Sequence, residues 1–173
     1  ITTHLGDKNP AAWNGITPLH SAANIGHLEV VKFFIKDLDD KNPESHDGKT
    51  PLHYAALKGH IEVCKLLMEG LDNKNPGDQL GITPLHYAAR NGHLDVYKQI
   101  IQYLEDINPS DIGGFTPLHF VSYFGKFELC EFLSERIEDL NPYSNIGRTP
   151  IYLANDRNHR AIVSLLRLAQ IKN

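Results

Sequence analysis

The sequence predicts an all-α solenoid, a row of short helix pairs laid down at a fixed interval and stacked on one another. Three observations carry this reading. The tetrapeptide Thr-Pro-Leu-His begins at Thr17, Thr50, Thr83 and Thr116, a variant begins at Thr149, and every step is 33 residues without insertion or deletion. All ten prolines occupy two registers, five after those threonines and five after Asn9, Asn42, Asn75, Asn108 and Asn141. Glycines precede each threonine by two residues, and Gly26, Gly59, Gly92 and Gly125 recur further on, with Asn158 in the last copy.

The first complete unit, residues 14–46, justifies each element in turn. Thr17 suits a helix N-cap, because its hydroxyl can accept from the free N–H groups of the first turn. Pro18 follows at N1, where a missing N–H costs nothing and a fixed φ favours the helix. A short helix from Pro18 to about Ile25 is predicted, with Ala22 and Ala23 small enough for a close neighbour. Gly26 ends it in the left-handed conformation, which Asn158 best tolerates in its place. A second helix from near His27 to about Leu38 is predicted by Leu28, Val31, Phe34, Ile35 and Leu38, which share one face. Asn42-Pro43 breaks it, since the residue before proline is driven toward extended backbone. The segment to Gly48 reads as a projecting turn leading into the next Thr-Pro. Such helices are marginal alone, and each pair carries an apolar face that only a neighbour can bury.

The spacing divides the chain, taken as one domain over residues 1–173, into units 14–46, 47–79, 80–112 and 113–145 and a closing unit 146–173. Residues 1–13 align with the tail of a preceding unit, because Lys8-Asn9-Pro10 matches Lys41-Asn42-Pro43. The chain opens at Ile1 within a unit, so it reads as part of something longer. In the closing unit Arg160 stands where Leu28, Ile61 and Leu94 stand, and Asn155 replaces an alanine. Those polar changes are expected of a capping repeat.

Ser21-Ala22-Ala23-Asn24-Ile25-Gly26-His27, Tyr54-Ala55-Ala56-Leu57-Lys58-Gly59-His60 and Tyr87-Ala88-Ala89-Arg90-Asn91-Gly92-His93, each after its Thr-Pro-Leu-His, resemble the ankyrin repeat. The resemblance extends over essentially the whole chain. It implies antiparallel helix pairs joined by β-hairpin-like fingers, in a curved, right-stacked array with a concave binding face. One departure is consistent. Leu38, Leu71 and Leu104 stand where the family usually has glycine after the second helix, so the helix exit is expected to differ, and an Asn-Pro follows.

Charge and composition narrow the function classes. The net charge of −4 combines +4 over residues 146–173 with −8 over the remainder, and an acidic body argues against a general nucleic-acid binder. No apolar run is long enough to span a membrane. Cys64 and Cys130 occupy the same position two units apart, too distant to pair, and align with Val31, Tyr97 and Val163. They read as buried packing residues in a reducing, intracellular, cytoplasmic setting.

Ten histidines are the obvious lead for chemistry, but eight are repeat positions that translation along a stack would keep apart. They are expected to bond neighbouring backbone. The sequence has no phosphate loop, zinc-ligand pair or nucleophile motif, so no enzyme, cofactor or metal is expected. What remains is the variable surface that the resemblance places on the fingers and inner-helix ends: Trp13, Ile16, Tyr54, Leu57, Ile82, Tyr87, Arg90, Phe115, Tyr123, Phe124, Arg148 and Arg157. Phe120 shares the register of Tyr54 and Tyr87, and Ile146 lies on the last finger. Aromatics and arginines of this kind dominate binding energy at protein interfaces, and they concentrate in the fourth unit. The expectation is a monomeric, non-enzymatic module that binds a protein or peptide. A spacer within a long array is the alternative, and recognition of an anionic partner by the basic last unit is a third reading.

Overall fold

The computed structural model of the chain describes residues 9–38 and 40–172. Residues 1–8, which hold most of the expected tail of a preceding unit, lie outside them, as does Asp39 at the first helix exit.

Among the described residues there are ten helices and no strand. They come in pairs: α1 (Pro18–Ile25) with α2 (Leu28–Asp37), α3 (Pro51–Lys58) with α4 (Ile61–Met68), and α5 (Pro84–Asn91) with α6 (Leu94–Ile101). Then follow α7 (Pro117–Tyr123) with α8 (Phe127–Ser134), and α9 (Pro150–Asp156) with α10 (Arg160–Lys172). Each first helix packs on the first helix of the next pair and on its own second helix, so long-range contact is between neighbours.

Leu19, Leu52, Leu85 and Leu118 are fully buried between the stacked pairs, and the alanines at 22–23, 55–56 and 88–89 let the first helices approach closely. Val31, Cys64, Tyr97 and Cys130 form the equivalent row of the second helices. Both thiols are free. Tyr97 fits there because its hydroxyl donates to Ile107 O, which satisfies the one polar atom that burial strands.

The tetrapeptide works as a capping device built around histidine. Nδ1 of His20, His53, His86 and His119 accepts the backbone N–H of its own threonine at 3.0–3.1 Å, closing a capping box in which histidine takes the place of glutamate. Nε2 faces a carbonyl of the following finger: Lys49 O, Ile82 O, Phe115 O or Arg148 O, at 3.0–3.1 Å. The second histidine register also bridges units. His60, His93 and His159 reach Asn24 O, Leu57 O and Tyr123 O of the preceding pair at 3.1–3.2 Å. The expectation of structural histidines is thereby met at seven positions. Gly59 shows why its position admits no side chain: φ is +79°, and an added Cβ would lie 2.6 Å from the His93 ring.

Asn-Pro is a second joint. Oδ1 of Asn9, Asn42, Asn75, Asn108 and Asn141 accepts from the backbone N–H of residue 19, 52, 85, 118 or 151, ten positions on. That donor is the second residue of the next first helix, one of the groups a helix start leaves unpaired. An Asx turn from Asp40, Asn73, Asp106 or Asp139 sets the asparagine in place. The leucine at the exit is accommodated by local changes. Leu38 caps α2 in extended backbone, whereas Gly70 takes the left-handed turn (φ +77°) before Leu71.

The fingers are tighter than strands. Each has two backbone bonds, such as Ser45 N to Lys49 O at 2.8 Å and Gly48 N to Ser45 O at 2.9 Å, too few for a β-ladder. One further bond joins successive fingers: His46 N to Asn14 O, Gln79 N to Asp47 O, Ile112 N to Leu80 O, and Asn145 N to Gly113 O, at 2.9–3.1 Å. Among the described residues no helix is long and apolar enough to cross a membrane.

Candidate functional site

The row of fingers and the row of first helices meet along one side of the stack, and at the fourth and fifth pairs the seam opens into an apolar cavity of about 280 Å³. Its finger wall is Phe115, Ile146 and Arg148, and its helix wall is Phe120, Tyr123 and Phe124, with His119 and Leu153 also lining it. The walls are positioned by the capping device. His119 is bound to Thr116 on one side and to the carbonyl of Arg148 on the other, which ties the fifth finger to α7. The Phe115 ring lies edge-on to His119, with centroids 5.4 Å apart.

The aromatic side chains support one another. Tyr123 and Phe124 make a T-shaped pair at 4.9 Å, and Phe124 lies 6.5 Å from Phe120. Phe120 in turn packs edge-on against His86 of the preceding unit at 5.2 Å. Three guanidinium groups sit over rings at this end: Arg157 over Tyr123 at 4.1 Å, Arg148 over Tyr152 at 4.2 Å, and Arg90 over Phe124 at 5.2 Å. Arg157 has Asp156 Oδ2 3.7 Å from its Nε. Among the described residues neither Arg90 nor Arg148 has a carboxylate partner.

Of the residues singled out from sequence, Phe115, Tyr123, Phe124 and Arg148 therefore come together, with Arg157 and Arg90 stacked on two of the rings. The others lie elsewhere along the stack. Trp13 stands on the first finger, 90% exposed, and Ile16 and Ile82 are half-buried beneath their fingers. Leu57 is half-buried at the end of α3, and its carbonyl accepts from the His93 ring and from Asn91 Nδ2. Tyr54 is half-buried, edge-on to His20 at 5.7 Å.

Tyr87 departs from the expected exposed position, being only 9% exposed. Its hydroxyl donates to Asp78 Oδ2 at 3.1 Å, while Oδ1 of the same carboxylate accepts from Leu80 N and Ile82 N and so holds its own finger turn. Burial, reinforced by the Asp78 charge, pushes the phenol up to about 12. Among the described residues Tyr54 has no such partner, because Ser45 occupies the position of Asp78 in the preceding unit.

Two residues at the site escaped the sequence reading. Leu153 shares the register of Phe120, so the repeat frame could have marked it. Tyr152 replaces the tetrapeptide histidine, and that exchange exposes a ring (45%) on which Arg148 rests. No group of three or more histidine, cysteine, aspartate or glutamate residues is placed to hold a metal ion among the described residues. Seven histidines, His20, His53, His60, His86, His93, His119 and His159, are separately engaged with backbone.

The family model described as Ankyrin repeats (3 copies) matches residues 2–76, 38–111, 69–143 and 85–173, overlapping segments that together run from residue 2 to residue 173. Comparison with curated proteins gives no match.

Proposed function

Because the chain belongs to the ankyrin-repeat family, whose repeats generally serve protein–protein interaction, we propose that it binds a protein or peptide along the seam between fingers and first helices, with the fourth and fifth units as the main anchor. The observation that carries this reading is the apolar cavity walled by Phe115, Phe120, Tyr123 and Phe124 and rimmed by arginines. Exposed aromatic side chains cost solvation unless something covers them, and aromatics with arginine supply most of the energy at interface hot spots.

The test is a double substitution, Tyr123→Ala with Phe124→Ala, on the outer rim of the cavity. Peptides selected on the wild-type chain from a displayed random library are expected to bind the variant at least tenfold more weakly. The far-ultraviolet circular dichroism should be unchanged, because neither ring is part of the buried row. Binding at full affinity to the variant would remove the proposed hot spot.

A further inference from the structure

The chemistry of the rim names a class of partner, an inference that rests on the seam being a docking surface. The volume of about 280 Å³ exceeds the ~150 Å³ that encloses a benzene ring and falls just short of the ~300 Å³ at which small-molecule sites begin. It suits one or two large side chains. Three arginines stand around it. Arg148 stands on the finger side, and Arg90 and Arg157 on the helix side, each with its guanidinium over a ring. A guanidinium placed over a ring gains a cation–π contact and still has N–H groups with which to donate. Two acids of the same region offset them only in part. Asp111 Oδ1 is taken by Phe115 N, and Asp156 stands 3.7 Å from Arg157 alone.

Four acids of the body, Glu29, Glu62, Asp95 and Glu128, occupy the first turns of α2, α4, α6 and α8 on the other row of helices. Of the acids on the fingers, Asp47 is paired with Lys49, while Asp78 and Asp111 accept backbone N–H groups of their own turns. A chain of net charge −4 thus carries three arginines around this apolar opening. Electrostatic complementarity of this kind selects partners and orients them before contact.

We propose that the cavity takes a large aliphatic or aromatic side chain from an extended acidic peptide segment of a partner protein, with carboxylates on either side of that anchor paired to Arg148 and to Arg90 and Arg157. The probe is a displayed library of random twelve-residue peptides, selected on the whole chain and read by sequencing. The expected pool has an aromatic or large aliphatic residue with aspartate or glutamate within a few positions on both sides. A representative peptide should bind at least tenfold more weakly when Arg148→Glu and Arg157→Glu are combined, and at least tenfold more weakly in high salt. Replacing the peptide's acids by lysines should restore binding to the charge-reversed chain. These variants lie on exposed side chains, and an unchanged thermal midpoint verifies the fold.

The outcomes separate the two readings. Selected peptides that need Tyr123 and Phe124 but show no acidic enrichment and no salt dependence overturn the acidic-partner inference and leave the docking seam standing. Peptides indifferent to Tyr123 and Phe124 overturn both. Displacement of the bound peptide by an unrelated oligonucleotide or by phosphatidylserine vesicles at equal charge concentration also overturns the inference, since the rim would then be a general anion site.

Discussion

Each tetrapeptide histidine is held in one tautomer by partners that leave it no alternative. Backbone N–H groups can only donate, so Nδ1 of His53 must accept from Thr50. The carbonyl of Ile82 can only accept, so Nε2 must carry the proton. A protonated ring would turn a donor toward Thr50 N–H and place a charge among apolar helices. Burial accordingly lowers the His53 pKa from the usual 6.5 to about 4, against the opposing pull of Ile82 O. Burial also lowers His20, His86 and His119. The unfolded chain is then the better proton binder, so stability is fully present above pH 6.5 and falls as pH drops toward the folded values. The His53 shift alone corresponds to roughly 3 kcal/mol. Urea unfolding midpoints at a series of pH values between 7.5 and 4 should decline across this window. A midpoint constant from 7.5 to 5 would show that the rings are not held neutral.

At the scale of the element, the helices were legible because their signals are local. Thr-Pro, paired alanines and glycine mark start, packing and stop within ten residues, and the predicted Pro18–Ile25 coincides with α1. The second-helix bounds fall within a residue of expectation in the first unit. The role of Asn-Pro was not legible. The proline explains a break, but the asparagine acts ten residues away, on a helix that begins after the finger has turned the chain back. Asn75→Ala should therefore weaken α5 rather than the end of α4, by about 1 kcal/mol, lowering the thermal midpoint by about 2–4 °C. Asn75→Asp keeps the acceptor and adds a favourable charge at a helix start, so its midpoint should remain close to that of the wild type. Equal losses in the two variants would show that the asparagine matters for something other than its side-chain oxygen.

For the whole molecule, extensive helix contacts occur within a pair or between successive pairs, yet the buried leucines form one continuous core. Cys64 and Cys130 report on this from the second and fourth units. Both are fully buried, and burial pushes each thiol up to about 12. At pH 8 that leaves a thiolate fraction lower by about a thousandfold than for a free cysteine near 8.5, so labelling by a disulfide reagent should be at least that much slower. In the single-thiol chains Cys64→Val and Cys130→Val, the remaining thiol should become reactive at the same urea concentration, because the core joins their units. Clearly different thresholds would show that the units open separately. The site sits at this scale too, which limits how far sequence could reach it. Repeat alignment exposed the variable positions, including Phe115, Tyr123 and Phe124. It could not foresee that an aspartate at 78 draws Tyr87 inward while a serine at 45 leaves Tyr54 half-buried. Nor could it foresee that Arg90 reaches across to Phe124 in the next unit.

The single backbone bond that links each finger to the next has a consequence for how such a chain can change. Every interior finger gives one N–H backward and offers one C=O forward. A whole unit cut out, or copied and spliced in, leaves those donors and acceptors matched, whereas the gain or loss of one residue within a unit disturbs the join that spans it. The molecule is built like a measuring tape with identical graduations: its length is free to drift by duplication, while its cross-section stays fixed by the join.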